Sequence, residues 1–391
     1  MLEPQLQEIL FADDAMAPWR KKYWDRFRDL GSLELKHEAF QYIPLQNFSL
    51  PKAARKVSDL KVLPSEHPFS LIFIDGFFSF EHSRLPSEVV CLSLDDAMSS
   101  YAVFLQNRMT RTLKEELDPF AALNGAFQGQ GAFLYLPPKT KLSAPLHVEH
   151  IFTGSDMATP RLILYLGKQS SLHAIQHWQL DGEDPYFANA HIDAVLDEGA
   201  ELCLKNVQKE APKAHLFHSF RASVKRDSKL TMRLYSEGAA ISRHSIKVQL
   251  LEENGQALLQ GLTHLGKQNH SHVHATVEHL APYTRSRQHF KALLNDKSCS
   301  SFEGKIYVHP CAQKTESYQL NNNLLLSDEA ITYAKPNLEI FADDVKASHG
   351  ATVSQLDAES LFYLRSRGLP KEEARQCLIQ SFVQELAECL P

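Results

Sequence analysis

The stretch KLTMRLYSEGAAISRHSIKVQLLEENGQALLQGLTHL, residues 229–265, decides the fold class. It contains three short runs in which apolar and polar residues alternate, KLTMRLY, SIKVQLL and ALLQGLTHL. Alternation with a period of two is typical of a β-strand with one buried face. Gly238 and the pair Asn254-Gly255 separate the runs, and both residue types favour turns. We therefore predict consecutive short strands without helices between them.

The same pattern extends in both directions, from residue 119 to residue 345. The runs AFLYL, LHVEHIF, RLILYL and ELCLKNV precede the central stretch, and HVHATVEHL and KIYV follow it. A doubly wound fold needs a helix between successive strands, so this pattern excludes it. A sandwich, a barrel and a stacked β-solenoid remain, and the irregular spacing favours the solenoid. No internal repeat is strong enough to establish it.

Helical patterns lie on both sides of this region. Trp19, Tyr23 and Phe27 recur at helical spacing within residues 1–45, and Gly31 is a natural stop. A hairpin around Asp75-Gly76 is predicted for residues 68–80, and a helix for residues 94–117. We divide the chain into a mostly helical region, residues 1–118, a β core, residues 119–345, and a C-terminal helical region, residues 346–391.

Two helices are predicted in that last region. Asp357 is a good N-cap for the first helix, which stops at Gly368, and Pro370 occupies the first turn of the second. Their apolar face is broad, so it must pack on the body of the protein, on a partner, or on both.

Composition excludes several classes of function. The chain has 391 residues, 43% of them hydrophobic, and a net charge of −6, with no Lys/Arg run longer than three residues. We therefore expect no nucleic-acid partner. The N-terminus does not resemble a signal peptide, and the most apolar window, LIFIDGFFSF, is too short to span a membrane. Six dispersed cysteines without a CxxC motif predict free thiols and a cytoplasmic location.

A row of histidines stands in GKQNHSHVHATVEH, residues 266–279. On a strand, His270, His272 and His274 would share one face at intervals of about 7 Å. A closed metal site needs three or four ligands, so neighbouring strands would have to supply others. Two interpretations stay open here: an outward polar row on a solenoid strand, or a β-helix or cupin-like metal-binding enzyme that uses these histidines.

A second candidate is the single histidine of ADDVKASHGAT, residues 342–352. Residue chemistry alone favours a turn residue at His349, although histidine is also a metal ligand and a proton acceptor near neutral pH. The sequence contains no GxxxxGK[ST] motif, so we expect no nucleotide hydrolysis of the P-loop type by this chain.

Longer segments resemble the SufB/SufD family of iron–sulfur cluster assembly proteins. NLEIFADDVKASHGATVSQLDAESLFYLRSRGLPKEEARQCLIQSF, residues 337–382, is similar to the family's C-terminal signature. DPFAALNGAFQGQGAFLYLP, residues 118–137, and SFEGKIYVHPCAQKTESYQLNNNLLLSDEA, residues 301–330, resemble the beginning and the last rungs of its core. The similarity covers nearly the whole chain. The short length and the lack of CxxC make the chain most similar to the SufD branch.

The resemblance implies a right-handed parallel β-helix core with a helical N-terminal region and a C-terminal helix pair. It also implies a non-catalytic scaffold subunit of a SufB–SufC–SufD complex, with a SufB-like paralogue and a SufC-like ATPase as partners. Iron or a nascent iron–sulfur cluster would lie at the interface, and no cofactor is expected in the isolated chain. Whether a flavin joins the complex, and whether the isolated chain forms a homodimer, stays open at this point.

The resemblance also assigns residues. His349 matches an interface histidine that contributes to cluster or iron binding, as a transient metal ligand. Ala347 stands where SufD proteins often carry a cysteine, so this chain offers no thiolate there. The ATPase would dock on the C-terminal helices, and the residues expected to contact it are Leu361, Phe362, Leu364, Arg367, Ala374, Leu378 and Phe382.

Overall fold

The computed structural model describes residues 14–31, 40–45, 65–129, 131–154, 156–180, 186–209 and 211–391. The described helices are α1 (Ala17–Asp29), α2 (Leu94–Ser100), α3 (Ala102–Glu115), α4 (Pro119–Phe127), α5 (Ala358–Ser366), α6 (Lys371–Val383) and a 3₁₀ helix (Gln384–Cys389). The first ten strands are β1 (Phe69–Ile74), β2 (Phe77–Arg84), β3 (Val90–Ser93), β4 (Ala132–Leu136), β5 (Leu146–Phe152), β6 (Met157–Ala158), β7 (Arg161–Leu166), β8 (Ser171–Leu180), β9 (Phe187–Leu196) and β10 (Glu201–Gln208). The others are β11 (Ala211–Val224), β12 (Lys229–Glu237), β13 (Ala239–Leu250), β14 (Gln256–Leu265), β15 (His270–His279), β16 (Arg285–Leu294), β17 (Cys299–Val308), β18 (Glu316–Leu325), β19 (Ile331–Ile340) and β20 (Lys346–Gln355).

The strands wind into a parallel β-solenoid of about seven turns. From β8 onward, successive strands alternate between two sheets, which we call sheet A and sheet B. Sheet B has the order β2-β1-β5-β8-β10-β12-β14-β16-β18-β20, and sheet A the order β19-β17-β15-β13-β11-β9-β7-β4-β3, with β6 beside β9. The solenoid predicted from the alternating pattern is therefore confirmed, and the sandwich and barrel alternatives are wrong.

The solenoid repeat is regular in space although the sequence repeat is weak. Equivalent first positions of β10, β12, β14, β16, β18 and β20 are held by Glu201, Lys229, Gln256, Arg285, Glu316 and Lys346. Their spacings are 28, 27, 29, 31 and 30 residues. This variation of several residues hides the period from a search for self-similarity.

The corners between strands use a recurring turn. Asp227 has a φ of +56°, and the hydroxyl of Ser228 donates a 2.6 Å hydrogen bond to the carbonyl oxygen of Lys225. The same arrangement recurs at Gln169 and Ser170. Asp, Asn and Gly tolerate the left-handed region better than most residue types, which explains their frequency between the strands.

The interior of the middle coils is apolar. Inward positions on β10, β12 and β14 hold Leu204, Met232 and Leu259, and those on β11, β13 and β15 hold Ala222, Val248 and Val277. Medium-sized aliphatic side chains fill the space between the two sheets, so each coil buries the face of the next.

The N-terminal helices cover the outer face of the first coils of sheet A. Phe120 of α4 packs edge-on against Phe217 of β11, with ring centroids 4.3 Å apart. Both belong to an apolar cluster that includes Tyr23 and Phe27 of α1. The aromatic stripe predicted for the first helix is thus a packing surface, whereas residues 1–13 and 32–39 of that prediction lie outside the described residues.

Buried ion pairs join these helices to sheet A. Arg221 on β11 makes two hydrogen bonds to the carboxylate of Glu116, of 2.7 and 3.0 Å. Arg243 on β13 donates a 2.7 Å hydrogen bond to Asp118, whose carboxylate also caps α4 through the amide of Phe120. All four charged residues of these pairs are buried. The connection between α3 and α4 therefore binds two adjacent coils.

Both ends of the solenoid differ from its middle. At the N-terminal end, β2 pairs with β1 and β3 pairs with β4, and both pairings are antiparallel. At the C-terminal end, β19 and β20 are parallel strands that have a neighbour on one side only.

One helix differs from the sequence-based prediction. The helix predicted for residues 94–117 is two helices, because Tyr101 leaves the helical conformation between α2 and α3. Pro119 begins the next helix, α4, where its missing N–H would have no helical partner. The predicted hairpin around Asp75-Gly76 is confirmed, with both residues at positive φ.

Candidate functional site

The last coils expose an unusual amount of apolar surface. Seven large apolar side chains on or beside β18, β19 and β20 are between 37% and 56% exposed: Tyr318, Leu320, Ile331, Tyr333, Ile340, Phe341 and Val353. Single exposed apolar residues are normal, but a group of this size at one end indicates an interaction surface. We call this end, formed by β18, β19 and β20, the open end.

The backbone of β20 is available for pairing along one side. In a parallel ladder, alternate residues bond to opposite neighbours. The amide of Lys346 donates to the carbonyl of Thr315 at 2.9 Å, so even-numbered residues of β20 bond to β18. Odd-numbered residues, among them Ala347, His349 and Ala351, therefore direct their N–H and C=O groups to the free edge.

The edge of sheet A is different. The amide of Ile331 donates to the carbonyl of Ser298 at 3.0 Å, so the odd-numbered residues of β19 bond to β17. Pro336 is even-numbered and thus stands on the free edge, the side of an edge strand on which proline is tolerated. A further strand would find an interrupted row of donors on β19 and a complete row on β20.

His349 lies within β20 and its side chain is exposed. Our prediction of a turn at this residue is wrong, because the bend falls earlier, at Asp343 and Asp344, and the chain is extended from Lys346 onward. The β core consequently continues to Gln355, ten residues past the predicted boundary, and helical structure begins only with α5. A strand fixes the direction of the imidazole better than a turn would.

A polar row lies beside His349 in the interior. His349 is in register with the buried Gln319, whose amide donates a 3.1 Å hydrogen bond to Gln288 on the next coil. Gly304 makes room for this amide, since a Cβ at that position would lie 1.7 Å from Nε2 of Gln319. The Oε1 atom of Gln319 is buried and has no hydrogen-bond partner among the described residues. The residue paired in register with His349 therefore carries an unsatisfied acceptor.

The predicted row of His270, His272 and His274 on β15 does not form a metal site among the described residues. His272 is buried and shares a 2.7 Å hydrogen bond with Ser301, and burial lowers the pKa of His272 to about 3. The rings of His270 and His272 are stacked with centroids 5.9 Å apart. Within the described residues, His270, His272 and His274 do not belong to any group of three or more side chains with metal-binding geometry. The enzyme alternative thus has no support, and the outward row is partly covered rather than solvated.

Another group of histidines was missed by the sequence analysis. His67, His147 and His177 meet on the outer face of sheet B near the N-terminal end, with one ring nitrogen from each within 4.8 Å of the others. The pKa of His147 is lowered to about 4, mainly by burial and to a smaller extent by the neighbouring imidazoles of His67 and His177. The pKa of His177 is also lowered, mainly by burial and secondarily by the imidazole of His67. His147 lies 80 positions after His67 and 30 before His177, so no short sequence motif could have revealed the cluster.

The C-terminal helical segment docks on the outer face of sheet B through its last element, the 3₁₀ helix. Leu386 and Cys389 of the 3₁₀ helix are buried against Val207, Tyr235 and Leu262. Polar contacts add to this: Lys291 donates to the carbonyl of Phe382 at 2.7 Å and pairs with Glu385 at 2.7 Å, and Arg233 pairs with Glu388. The broad apolar face predicted here is therefore used partly inside the chain.

The residues predicted to bind the ATPase fall into three groups. Phe362 is 72% exposed, and Arg367 is also exposed. Leu361, Leu364, Leu378 and Phe382 are half-buried. Ala374 is fully buried, so it can support a docking surface only by positioning the helix that carries it. Helix α5 as a whole has no buried residue and also exposes Tyr363.

Comparison with known proteins gives two family matches. Residues 150–382 match the SufBD core domain of SUF system FeS cluster assembly, and residues 7–148 match the SufBD protein N-terminal region. None of the helices in the described parts of the chain has the length and apolarity needed to cross a membrane.

Individual relatives are similar over most of their length. An iron–sulfur cluster assembly SufBD family protein of Synechocystis is 31% identical over 93% of this chain and 85% of its own length. The iron–sulfur cluster assembly protein SufD of Escherichia coli is 28% identical over 96% of this chain and 89% of its own. SufB of Bacillus subtilis is 22% identical over 78% of this chain and 66% of its own. The resemblance found in the sequence is confirmed.

Proposed function

Because the chain belongs to the SufBD family of iron–sulfur cluster assembly proteins, we propose that it is a non-catalytic scaffold subunit that pairs through its open end with a SufB-like paralogue. The free edge of β20, with His349 on it, is the observation that carries this proposal. The similarity to SufB of Bacillus subtilis supports a related chain as the partner. A related solenoid offers strands of matching spacing and direction.

Iron or a nascent cluster is the cargo of this interface. Imidazole and thiolate both bind iron, and mixed ligation occurs in known clusters. His349 supplies the imidazole, and Ala347 supplies no ligand, so thiolates at this position come from the partner. The six free thiols of the chain support a reducing compartment such as the cytoplasm.

Replacing His349 with alanine tests the proposal. We expect cluster formation by the reconstituted complex to fall roughly tenfold or more, because an iron ligand is lost while the edge of β20 is unchanged. Cluster yield is measured by its visible absorption, and complex formation by size-exclusion chromatography. His264→Ala is the control, since His264 is an exposed histidine on the outer face of sheet B. Equal yields from the His349→Ala variant and the wild type would remove His349 from the site.

The C-terminal helices supply the proposed docking surface for a SufC-like ATPase. The sequence contains no P-loop of its own, so nucleotide hydrolysis belongs to another subunit. Phe362 and Tyr363 stand side by side on α5 and are more than half exposed, whereas the end of the segment is fixed to sheet B. Exposed aromatic residues are typical anchors of protein interfaces.

We expect Phe362→Ala to weaken ATPase binding by roughly 30-fold, which corresponds to the ~2 kcal/mol of a hot-spot aromatic. Isothermal titration calorimetry of the chain with the ATPase measures this change. Val103→Ala is a matched control, because Val103 is an equally exposed apolar side chain on α3. An affinity of the Phe362→Ala variant within twofold of the wild-type value would move the docking surface elsewhere.

A further inference from the structure

His67, His147 and His177, which meet on the outer face of sheet B, lie apart from the open end. His147 is on β5 and His177 on β8, two neighbouring strands near the N-terminal end of the solenoid, and His67 precedes β1. His147 Nδ1 and His177 Nε2 are 3.1 Å apart. The ring of His67 stacks on that of His147 with a centroid distance of 3.4 Å. Nothing in the proposed scaffold role uses these side chains.

From this geometry we propose that His67, His147 and His177 bind one divalent transition-metal ion of the Zn²⁺ class, with the fourth position open to water. A tetrahedral ion with metal–nitrogen distances of 2.0–2.1 Å holds its ligand nitrogens about 3.3 Å apart. The 3.1 Å separation of the His147 and His177 nitrogens is already close to that value. The third nitrogen lies within 4.8 Å of both, so a rotation of the His67 ring completes the set.

The segment that carries His67 is held in place by hydrogen bonds. Ser65 Oγ accepts a 3.2 Å hydrogen bond from the amide of His67 and donates a 2.5 Å hydrogen bond to the buried carboxylate of Glu149. Glu149 is in register with His177 in the sheet. Ser65 and Glu149 therefore act as positioning residues, which fix the third ligand against the two that the strands supply.

The chemistry of the donor set selects the ion. Three imidazoles and no thiolate favour borderline divalent ions such as Zn²⁺ and Co²⁺ over Mg²⁺ and Ca²⁺, which prefer oxygen ligands. Three protein ligands with an open position also distinguish the site from a closed structural zinc site, which has four. The site is thus suited to hold an exchangeable ion.

Titration of the tag-free full-length protein with Co²⁺ tests the proposal. We expect one Co²⁺ per chain with the visible d–d absorption of a four-coordinate site, and displacement of this absorption by one equivalent of Zn²⁺. His147→Gln and His177→Gln should each abolish the absorption, whereas His264→Gln, which changes an exposed histidine on β14 of the same sheet, should keep it. Thermal unfolding provides a second measurement, since one equivalent of Zn²⁺ should raise the melting temperature of the wild type but not of His147→Gln.

The proposal is overturned by a wild type that binds no stoichiometric Co²⁺, or by absorption that persists in both glutamine variants. Both variants change half-exposed surface residues, and unchanged melting temperatures without metal show that each is folded. The outcome is independent of the proposed role at the open end, because His349→Ala should bind Co²⁺ like the wild type.

Discussion

Replacement of Ala351 with proline should reduce the affinity for the SufB-like subunit roughly 10- to 100-fold. Ala351 lies on β20 with its N–H directed to the free edge. Proline removes this donor and leaves the opposing carbonyl of the partner without a hydrogen bond, at a cost of about 1–3 kcal/mol when it is buried. The chain's own ladder to β18 loses no hydrogen bond.

The stability of the isolated chain should change little. Proline is tolerated on the exposed side of edge strands, and the preceding Gly350 is already extended, as the residue before a proline must be. Pro336 holds the equivalent place on β19 in the natural sequence. Ala351→Val is the matched control, because valine favours strands and keeps the N–H.

Pull-down and analytical ultracentrifugation with the SufB-like subunit measure the effect. The same sedimentation data tell whether a second copy of the chain occupies the edge, since a wild-type homodimer that Ala351→Pro dissociates would identify it. Undiminished binding of Ala351→Pro to the SufB-like subunit would show that the two proteins do not pair along β20.

Replacement of Asp118 with alanine should lower the free energy of unfolding by about 3–5 kcal/mol, the range for breaking a buried ion pair. Arg243 and Arg221 would keep their charges in a buried place while losing one of two carboxylates. The variant also loses the N-cap of α4, which contributes about 1 kcal/mol of the total. Asp118→Asn keeps a good capping side chain and should therefore recover that part.

The same carboxylate predicts a pH dependence. Burial alone would raise the pKa of Asp118, but Arg243 and Arg221 outweigh it and hold this pKa below its ordinary value. A depressed pKa stabilises the folded state above the unfolded-state pKa of about 3.9, and this contribution is lost as pH falls toward the folded pKa. Stability should thus fall more steeply below about pH 4 in the wild type than in Asp118→Asn.

Urea denaturation at pH 7 and at pH 3.5 measures both effects. Glu201→Ala is the control, because the pair of Glu201 with Lys229 is exposed and contributes less than about 1 kcal/mol. A midpoint for Asp118→Ala equal to that of the Glu201→Ala control would mean that the buried pairs do not connect the helices to sheet A.

The fold could be predicted from the sequence because the features that define each coil of a solenoid lie close together in the chain. Strand alternation and turn residues recur in each coil, and they predicted most strands between β4 and β18. Other strands were not predicted. All ten residues of β9 are buried, since helices cover its outer face, and its polar Asn189 and Asp193 are held by buried contacts. Without an exposed face the alternation disappears.

The candidate site at the open end was harder to predict from the sequence, because it depends on the register between neighbouring strands. His349 was identified by resemblance, but its place on a strand follows from pairing with β18, which the polar sequence around it does not reveal. Gln319 and Gly304 meet across the interior, and their contact has no local signal. The cluster of His67, His147 and His177 likewise exists only through the winding of the chain.

The antiparallel strands β2 and β3 would limit how large an assembly built through the open end can grow. Stacking of parallel coils is a head-to-tail contact, and such contacts repeat without end when both faces of a building block match. Here a parallel strand can be added after β20, but the edge strand at the other end of sheet B, β2, runs antiparallel to its neighbour and carries the exposed side chains of Glu81 and Arg84. With the pairing proposed for the open end, addition would stop after one step and would give a pair rather than a filament.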